Sequence, residues 1–301
     1  MVANILSGTQ TAKEVREALK AEVADLKAKH PGFQPKLVIV QVGGREDSNV
    51  YIRQKLKAAA EVGVDSEHVK YPREVSEAEL LSGVQKLNSD PRVHGIIIQL
   101  PLDSIAKIDG GKICNAVCPL KDVDGVHIEN AGRLSHGELE GFFLPCTPRG
   151  CLELIQKTGI EISGKNAVVI GRSKIVGSPM ACILRNVNAT VTMCHSRTKD
   201  VPYWTRQADI IVAGVGVPRL VKRDWVKPGA IVIDCGINSI QDPTSPKGSR
   251  LVGDVDYDEV KEVASWITPV PGGVGPMTVA MLIKNTVISA KREVVGTVKN
   301  F

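Results

Sequence analysis

The chain has 301 residues, of which 43% are hydrophobic and 24% charged, and its formal net charge is +5 at pH 7. This composition excludes a disordered or fibrous protein and indicates a globular chain long enough for two domains. Lys and Arg are spread along the sequence without a basic block, which argues against nucleic acid as a partner and leaves anionic small molecules.

Membrane and metal partners are not expected. No stretch approaches the roughly twenty apolar residues of a spanning helix, and the start MVANILSGTQ lacks the features of a secretory signal, so we expect a cytoplasmic protein. The odd number of cysteines indicates free thiols of a reducing compartment. Cys114 and Cys118 are closely spaced, but no second pair or histidine cluster accompanies them, so no metal site is predicted. The other cysteines are Cys146, Cys151, Cys182, Cys194 and Cys235.

Strands and helices alternate in the first half of the chain. The spacing of apolar residues predicts helices over 11–28, 48–63 and 76–87, and strands over 36–43, 68–71 and 94–100. Residues 101–148 are rich in Gly and Pro and too long for a simple connector, so a loop region that contributes to a site is expected there. The alternation predicts a parallel sheet with flanking helices.

A second series of the same kind follows. It predicts a helix over 150–157, a strand over 166–171, a helix from about 176, strands over 189–194, 209–216 and 230–236, and a last helix that includes 277–294. We therefore predict an α/β protein of two lobes, each a mainly parallel sheet with flanking helices. The predicted domains are residues 1–148, completed by a C-terminal helix over 276–301, and residues 149–275.

The turn after the strand VVIG is a candidate phosphate site. Gly171 follows the strand and Gly177 begins the next helix, so backbone N–H groups and the positive helix end can meet a phosphate. The spacing departs from G-x-G-x-x-G, because Ser173 replaces the middle glycine and the last gap is one residue longer. An ordinary strand-to-helix turn therefore stays open as an alternative.

The end of the following strand bears on which nucleotide would bind. An NAD site carries an Asp or Glu there for the ribose 2′-hydroxyl, but this chain reads Cys194, His195, Ser196 and Arg197. Hydroxyl and cationic donors, together with Arg172, favour the 2′-phosphate of NADP. The alternative is that both arginines are solvated surface charges.

Several polar residues of the first lobe are candidates for chemistry. Tyr51 and Lys55 share one face of a predicted helix, although a surface pair is equally compatible with their spacing. Short-chain dehydrogenases also carry Tyr-x-x-x-Lys, but downstream of the glycine turn, which excludes that family here. Gln99 ends an apolar strand, where ligands meet an open α/β sheet.

Two loops could recognise a flat ligand. In KDVDG, Asp122 or Asp124 could accept two parallel hydrogen bonds from an amino-pyrimidine edge, although an Asp-Gly turn explains Asp124 almost as well. The segment PVPGGVGP has three glycines and three prolines in eight residues. The prolines restrict its backbone, and the glycines leave that backbone uncovered by side chains. It could approach a ligand closely or simply form the turn before the last helix.

Together these segments resemble the bifunctional methylenetetrahydrofolate dehydrogenase/methenyltetrahydrofolate cyclohydrolase family, particularly the amino-terminal part of eukaryotic cytosolic C1-tetrahydrofolate synthases. The resemblance spans nearly the whole chain and rests on VGGREDSNVYIRQKLKAA, IIIQLPLD, PLKDVDG, FLPCTPRGCLELI, VVIGRSKIVGSPM, IDCGIN and ITPVPGGVGPMTVAML. It implies NADP-dependent oxidation of 5,10-methylenetetrahydrofolate to the 5,10-methenyl form and hydrolysis to 10-formyltetrahydrofolate. It also implies a Rossmann-like NADP-binding second domain and a folate cleft between the lobes.

The resemblance also implies roles for single residues. Lys55 would catalyse the cyclohydrolase step, Gln99 would tune it, Tyr51 would be a platform for the folate ring system and Asp124 would hold the pterin. Further folate-contacting residues would be Ile98, Leu100, Pro271, Gly272, Gly273, Gly275 and Pro276, and NADP would bind at Gly171, Arg172, Ser173, Ser196 and Ile237. A homodimer is implied as well. Trifunctional members continue into a formate-tetrahydrofolate ligase, so the chain would be a bifunctional enzyme or a fragment.

Two rival functions remain. Another NADP-linked dehydrogenase of the same architecture, of the amino-acid or shikimate type, would share the Gly171 turn but would not need Asp124 or PVPGGVGP. A non-catalytic folate- or nucleotide-binding module would bind without turnover, and the intact Lys55, Gln99 and Asp124 argue against it.

Overall fold

The computed structural model describes residues 2–138, 140–245 and 248–295. In chain order, the α-helices of this part are α1 (Gly8–Lys29), α2 (Glu46–Val62), α3 (Glu77–Ser89), α4 (Gly110–Cys114), α5 (Ile128–His136), α6 (Cys146–Lys157), α7 (Gly177–Asn186), α8 (Val201–Thr205), α9 (Tyr257–Val260) and α10 (Val274–Val295). The strands are β1 (Asn4–Ile5), β2 (Lys36–Val42), β3 (Asp65–Tyr71), β4 (Gly95–Ile98), β5 (Asn166–Ile170), β6 (Thr190–Cys194), β7 (Ile210–Ala213), β8 (Ile231–Asp234), β9 (Asn238–Gln241), β10 (Ser249–Val252) and β11 (Trp266–Ile267).

The chain divides into two compact units, each built around its own sheet. The small-sheet unit comprises Lys13–Cys146 and Val279–Phe301, and the large-sheet unit comprises Met1–Ala12 and Thr147–Thr278. The predicted domain ends at 148 and 275 lie within a few residues of these limits, but residues 1–12 were predicted in the first domain. They fall in the large-sheet unit because β1 pairs in parallel with β11. A strand of two residues has no periodicity from which it could have been predicted.

The small-sheet unit contains the parallel sheet β3-β2-β4. Every residue of β2 after Lys36 is buried, so both faces of this strand are covered, as is usual for parallel sheets. On one face, Val38 and Val40 pack in a cluster with Ile96 of β4 and with Leu80 and Val84 of α3. Full burial of such side chains stabilises the fold by about 1.5–3 kcal/mol each.

The large-sheet unit contains a six-stranded parallel sheet in the order β1-β11-β8-β7-β5-β6. Strand β5 lies between β6 and β7, so the order of strands reverses beside β5. In open α/β sheets, ligands bind at the carboxyl ends of strands at such a reversal. An antiparallel hairpin, β9-β10, accompanies the sheet. The prediction of an α/β fold with two mainly parallel sheets, the second Rossmann-like, is confirmed.

The predicted loop region 101–148 contains two short helices that the sequence analysis missed. Asp109 caps α4 by accepting a hydrogen bond from the Gly111 N–H at 2.8 Å, and His127 caps α5 by accepting one from the Glu129 N–H at 3.0 Å. Their Gly- and Pro-rich surroundings conceal such short elements. The last helix, α10, begins at Val274 rather than at 276. The predicted helical positions 296–301 lie outside the described residues.

Candidate active site

Helix α2 places Lys55 in the interior of the small-sheet unit. Lys55 shares the buried face of α2 with Ile52, Ala59 and Val62, and it is only 8% exposed. Tyr51, one turn earlier, is half-buried. The surface-pair alternative for these two residues is therefore wrong for Lys55. A lysine at such a position needs a polar partner, because burying an ammonium group without one is costly.

That partner is Gln99, directly after β4. The Lys55 Nζ donates a hydrogen bond to Gln99 Oε1 at 2.8 Å. The Gln99 Nε2 donates to the Leu100 carbonyl at 2.9 Å, and the Gln99 N–H donates to the Val40 carbonyl at 2.8 Å. Both ends of the Gln99 amide are thus engaged, so the side chain holds the amine of Lys55 at the carboxyl edge of the sheet.

The two carboxylates of KDVDG are in different environments. Asp122 is 2% exposed, and its Oδ2 accepts hydrogen bonds from the His127 N–H at 2.8 Å and from Asn130 Nδ2 at 2.7 Å. These bonds tie Asp122 to α5, so its role is structural. Asp124 is half-buried and interacts electrostatically with Lys55. Of the two candidates, Asp124 is the one that faces the amine.

Cys146, the first residue of α6, completes this group and was missed by the sequence analysis. Its single thiol proton can be donated either to the Asp124 carboxylate or to the Val123 carbonyl, which lies 3.3 Å from Sγ. Gly125 lets the segment that carries Asp124 approach the segment that carries Cys146, since a Cβ at Gly125 would lie 2.6 Å from the Leu144 carbonyl carbon. The available signal was the segment FLPCTPRGCLELI, which contains Cys146 and carries part of the family resemblance.

Burial controls the protonation of this group. It lowers the pKa of Lys55, an effect that Asp124 and Cys146 partly offset. Burial likewise raises the pKa of Asp124, which Lys55 and the Cys146 thiol partly offset. The pKa of Tyr51 is also raised, first by burial and then by the charge of Asp47. A lysine with a lowered pKa can accept and return a proton near neutral pH.

The large-sheet unit carries the candidate nucleotide site at the carboxyl end of β5. Gly171 has φ 118°, and a Cβ there would collide with the Gly214 carbonyl oxygen after β7, so only glycine fits. A Cβ at Gly177 would lie 2.7 Å from the Arg172 nitrogen. Ser173 Oγ accepts hydrogen bonds from the Val176 and Gly177 N–H groups at 3.2 and 3.3 Å. Ser173 therefore organises the turn at the start of α7.

Residues at the end of β6 adjoin this turn. The Gly171 N–H donates to the Cys194 carbonyl at 2.8 Å, which brings the ends of β5 and β6 together. Arg172, Ser196 and Arg197 are exposed, and the segment Cys194–Arg197 has no carboxylate. Bare backbone at a helix start with hydroxyl and cationic side chains beside it fits a dinucleotide with a 2′-phosphate.

The PVPGGVGP segment belongs to the large-sheet unit. Gly272 has φ 101°, and its carbonyl accepts a hydrogen bond from the Thr9 N–H at 2.9 Å. A Cβ at Gly273 would lie 2.5 Å from the Pro269 carbonyl oxygen, so the loop requires glycine there. At Gly275 a Cβ would lie 4.0 Å from the half-exposed Ile237. Pro276 is in the first turn of α10.

The structure thus brings Lys55, Gln99 and Asp124 together. Arg172 and Ser173 lie in the turn that follows Gly171, and Ser196 comes two residues after Cys194, whose carbonyl accepts the Gly171 N–H. Ile98 differs, because its side chain belongs to the core of the small-sheet unit. Leu100, two residues on, is 40% exposed. Among the described residues, no group of three or more His, Cys, Asp or Glu could hold a metal ion.

Comparison with known proteins gives the family. Residues 6–124 match the model of the tetrahydrofolate dehydrogenase/cyclohydrolase catalytic domain, and residues 145–294 match that of its NAD(P)-binding domain. The chain is 44% identical to a bifunctional methylenetetrahydrofolate dehydrogenase/cyclohydrolase from Campylobacter jejuni, with a TM-score of 0.91 over 97% of this chain and 100% of that one. It belongs to the tetrahydrofolate dehydrogenase/cyclohydrolase family.

Other members are also similar. The enzyme from Trypanosoma brucei, solved with NADP cofactor and inhibitor, is 41% identical, with a TM-score of 0.92 over 98% of this chain and 99% of that one. The cytoplasmic C-1-tetrahydrofolate synthase of Drosophila melanogaster is 60% identical over 96% of this chain. That match covers 30% of the Drosophila protein, so the chain spans less than a third of this relative.

As a member of the tetrahydrofolate dehydrogenase/cyclohydrolase family, the chain is an enzyme of folate one-carbon metabolism. It has the dehydrogenase and the cyclohydrolase activity and uses an NAD(P) cofactor. The predictions of family and function are confirmed, and the NAD(P)-binding domain agrees with the predicted cofactor. Similar synthases are named cytoplasmic in Drosophila and human, whereas a yeast relative, 50% identical, is named mitochondrial. No helix in the described part of the chain is both long and apolar enough to cross a membrane.

Proposed function

We propose that Lys55 is the proton-transfer residue of the cyclohydrolase step and that NADP is the preferred oxidant of the dehydrogenase step. The contact that carries the proposal is the 2.8 Å hydrogen bond between the buried Lys55 amine and Gln99. Few groups in a protein interior can exchange a proton near neutral pH, and a desolvated lysine is one of them.

The first step needs positioning more than acid–base catalysis. NADP, when bound, supplies the acceptor for the hydride that leaves the methylene carbon of 5,10-methylenetetrahydrofolate. The Gly171 turn and Arg172 would hold the nucleotide, and Ile237 would flank it. In the small-sheet unit, Tyr51 would stack against the folate ring system and Asp124 would accept hydrogen bonds from the pterin amino edge. These side chains align the reacting carbon rather than change its protonation.

The second step adds water to the methenyl carbon. The neutral Lys55 amine removes a proton from the water as its oxygen bonds to carbon. The ammonium then returns that proton to N5 as the bond between carbon and N5 breaks. Loss of the remaining hydroxyl proton to solvent leaves 10-formyltetrahydrofolate, so one proton is released overall. Gln99 keeps the amine in place during both transfers.

The direct test is a coupled assay. Pure protein is incubated with 5,10-methylenetetrahydrofolate and NADP, and reduced nucleotide and methenyl absorbance are followed with time. We expect reduced nucleotide to accumulate while methenyl absorbance stays low, because ring opening consumes the intermediate. If neither signal appears, the proposed activity is refuted.

The preference for NADP is tested by Arg172→Ala. Removing the exposed guanidinium should raise the KM for NADP by about tenfold, which corresponds to the loss of one charge-assisted contact with phosphate. The KM for NAD should change much less, because NAD has no 2′-phosphate. Lys174→Ala, two residues away and also exposed, is the matched control. Equal changes for both nucleotides would contradict the assignment of Arg172.

We further propose a cytoplasmic homodimer that carries the dehydrogenase/cyclohydrolase part of a longer C1-tetrahydrofolate synthase. The 60% identity to the amino-terminal third of a cytoplasmic relative supports the location and the longer chain. Folate is the proposed small-molecule partner, with neither nucleic acid nor membrane involved. Sedimentation equilibrium of the purified chain and fractionation of cells that express the full gene test these points separately.

A further inference from the structure

One face of α10 holds the loops of the small-sheet unit through polar side chains. Asn285, Ser289 and Arg292 lie at helical spacing on this face. Ser289 Oγ donates to the Leu120 carbonyl at 3.1 Å, and Arg292 Nη2 donates to the Phe142 carbonyl at 3.4 Å. Asn285 makes two such bonds, which makes it the strongest link of the three.

The two bonds of Asn285 reach the segments that carry site residues. Its Nδ2 donates to the Val123 carbonyl at 2.8 Å and to the Leu144 carbonyl at 3.1 Å, and it lies 3.8 Å from Cys146 Sγ. Val123 immediately precedes Asp124, and Leu144 precedes Cys146 by two residues. Asn285 is fully buried, so water does not compete for these bonds.

A second observation shows that these segments depend on close approach. A Cβ at Gly125 would lie 2.6 Å from the Leu144 carbonyl carbon and the Pro145 nitrogen, so the backbones are already in contact. The Asn285 amide adds a second polar connection across that contact, beside the Cys146 N–H, which donates to the Asp124 carbonyl at 3.4 Å. Ser289 bonds to the carbonyl of Leu120, just upstream of KDVDG, rather than to Val123 or Leu144, and so provides a natural comparison.

We infer that Asn285 is a positioning residue for the cyclohydrolase step, because its amide fixes the Asp124 and Cys146 segments against each other and so sets their placement relative to the Lys55 amine. This inference rests on the proposed role of Lys55. A displacement of about 1 Å in such a group can reduce a rate by as much as a hundredfold.

Loss of the Asn285 hydrogen bonds has a consequence for protonation. The charged and titratable groups that face Lys55 are Asp124 and Cys146, with Tyr51 one turn away on α2 and the neutral Gln99 on the strand side. Asp124 and Cys146 counteract the effect of burial on the pKa of Lys55. If both segments drift away, this pKa falls further, and the acidic limb of the ring-opening pH profile moves to lower pH.

The experiment compares Asn285→Leu, which removes both donors at similar size, with Asn285→Ser, which keeps one short donor. Ser289→Ala is the matched control on the same helix face. Ring opening of 5,10-methenyltetrahydrofolate is followed from low to high pH, and KM for NADP and the unfolding temperature are measured for each variant. Asn285→Ser is the fallback if Asn285→Leu does not fold.

For Asn285→Leu we expect kcat of ring opening to fall about tenfold or more, and the apparent pKa of the acidic limb to fall by about half a unit. Asn285→Ser should lie between this variant and wild type, while Ser289→Ala and the KM for NADP should change less than about twofold. Unchanged kinetics and pH profile in an active protein would overturn the inference alone, as would an equal loss in Ser289→Ala. A wild-type protein without ring-opening activity would overturn both the inference and the proposed function.

Discussion

At the scale of single residues, the decisive feature is an amine at a position that would ordinarily be apolar. Lys55 occupies the buried face of α2, where its neighbours are Ile52 and Ala59. The sequence located Lys55 through its spacing from Tyr51, but periodicity cannot show whether a lysine on a helix is buried. That depends on Gln99, which is distant in sequence and adjacent only after β2 and β4 have paired.

Replacing Lys55 by Met tests its role directly. Met keeps the length and the apolar stem but cannot transfer a proton, so ring opening should fall by about 10²–10⁴-fold. Part of the hydride transfer should survive, and methenyl absorbance should accumulate in the coupled assay. Lys57→Met, at an exposed position of the same helix, should leave both rates near wild type. Equal loss of the two activities in Lys55→Met would show that Lys55 does not separate them.

Asp122 should make stability depend on pH. Burial raises its pKa to about 6 in the folded state, from an ordinary value of 3.8. The folded protein therefore holds a proton that the unfolded chain releases between these values, so this group's contribution to stability is lost as pH rises through that range. An asparagine cannot titrate, so Asp122→Asn should make the free energy of unfolding depend less on pH in this range.

The measurement for Asp122 is the free energy of unfolding by urea at several pH values between 4 and 7. Asn at this position can still accept the bonds from the His127 N–H and Asn130 through its single oxygen. A loss of stability that is the same at every pH is therefore distinguished from a change in how the free energy of unfolding varies with pH. A slope identical to that of wild type would mean that Asp122 ionises normally in the folded protein.

At the scale of elements, long periodic segments were predicted well and short ones were not. Helices α1, α2 and α3, the three strands of the small sheet and strands β5, β6, β7 and β8 of the large sheet appear near their predicted positions, because their apolar spacing is itself the cause of their packing. The short helices α4 and α5 depend on single caps, and β1 depends on a partner near the far end of the chain. Local sequence carries little information about contacts of that kind.

The start of α7 offers a test of the nucleotide turn. A Cβ at Gly177 would lie 2.5 Å from the Gly171 carbonyl carbon and 2.7 Å from the Arg172 nitrogen, so Gly177→Ala must displace the turn. We expect the KM for NADP and the KM for NAD to rise together, by about tenfold or more, because the displaced backbone N–H groups would bind the phosphates of either nucleotide.

Gly132→Ala, within α5, is the control for this glycine change. Apart from the chain neighbours of Gly132 and the backbone of α5 itself, no atom of the described residues lies within 4 Å of a Cβ built at Gly132, so alanine should be neutral or slightly stabilising. Nucleotide KM values measured for both variants, with unfolding temperatures, distinguish a local effect from general damage. An unaltered KM in Gly177→Ala would show that this turn does not contact the nucleotide.

At the scale of the whole molecule, the sequence predicted two lobes with alternating strands and helices, but it assigned residues 1–12 to the first lobe instead of the large-sheet unit. Ala3, Asn4 and Leu6 donate backbone hydrogen bonds to Lys261, Ser265 and Ile267 at 2.7–2.8 Å. These pairings join segments more than 250 residues apart, so no local pattern reveals them. In the candidate site, the same limit explains why Cys146 was missed, since its relevance comes from contact with Asp124 alone.

Deleting residues 1–6 should therefore weaken the large-sheet unit selectively. Amide hydrogen exchange should speed up in β11 and in β8, which pairs with it, while β2 of the small-sheet unit keeps its protection. Mass spectrometry of peptic fragments measures this directly. Faster exchange throughout both units would indicate that the N-terminal strand stabilises the molecule as a whole.

The path of the chain limits how the two units can be separated from each other. Starting in the large-sheet unit, the polypeptide leaves it after Ala12, re-enters at Thr147 and departs again after Thr278. Neither half is encoded by one uninterrupted stretch, so no single proteolytic cut or gene split yields an intact half. An engineer who wanted the nucleotide-binding half in isolation would have to splice two distant coding segments.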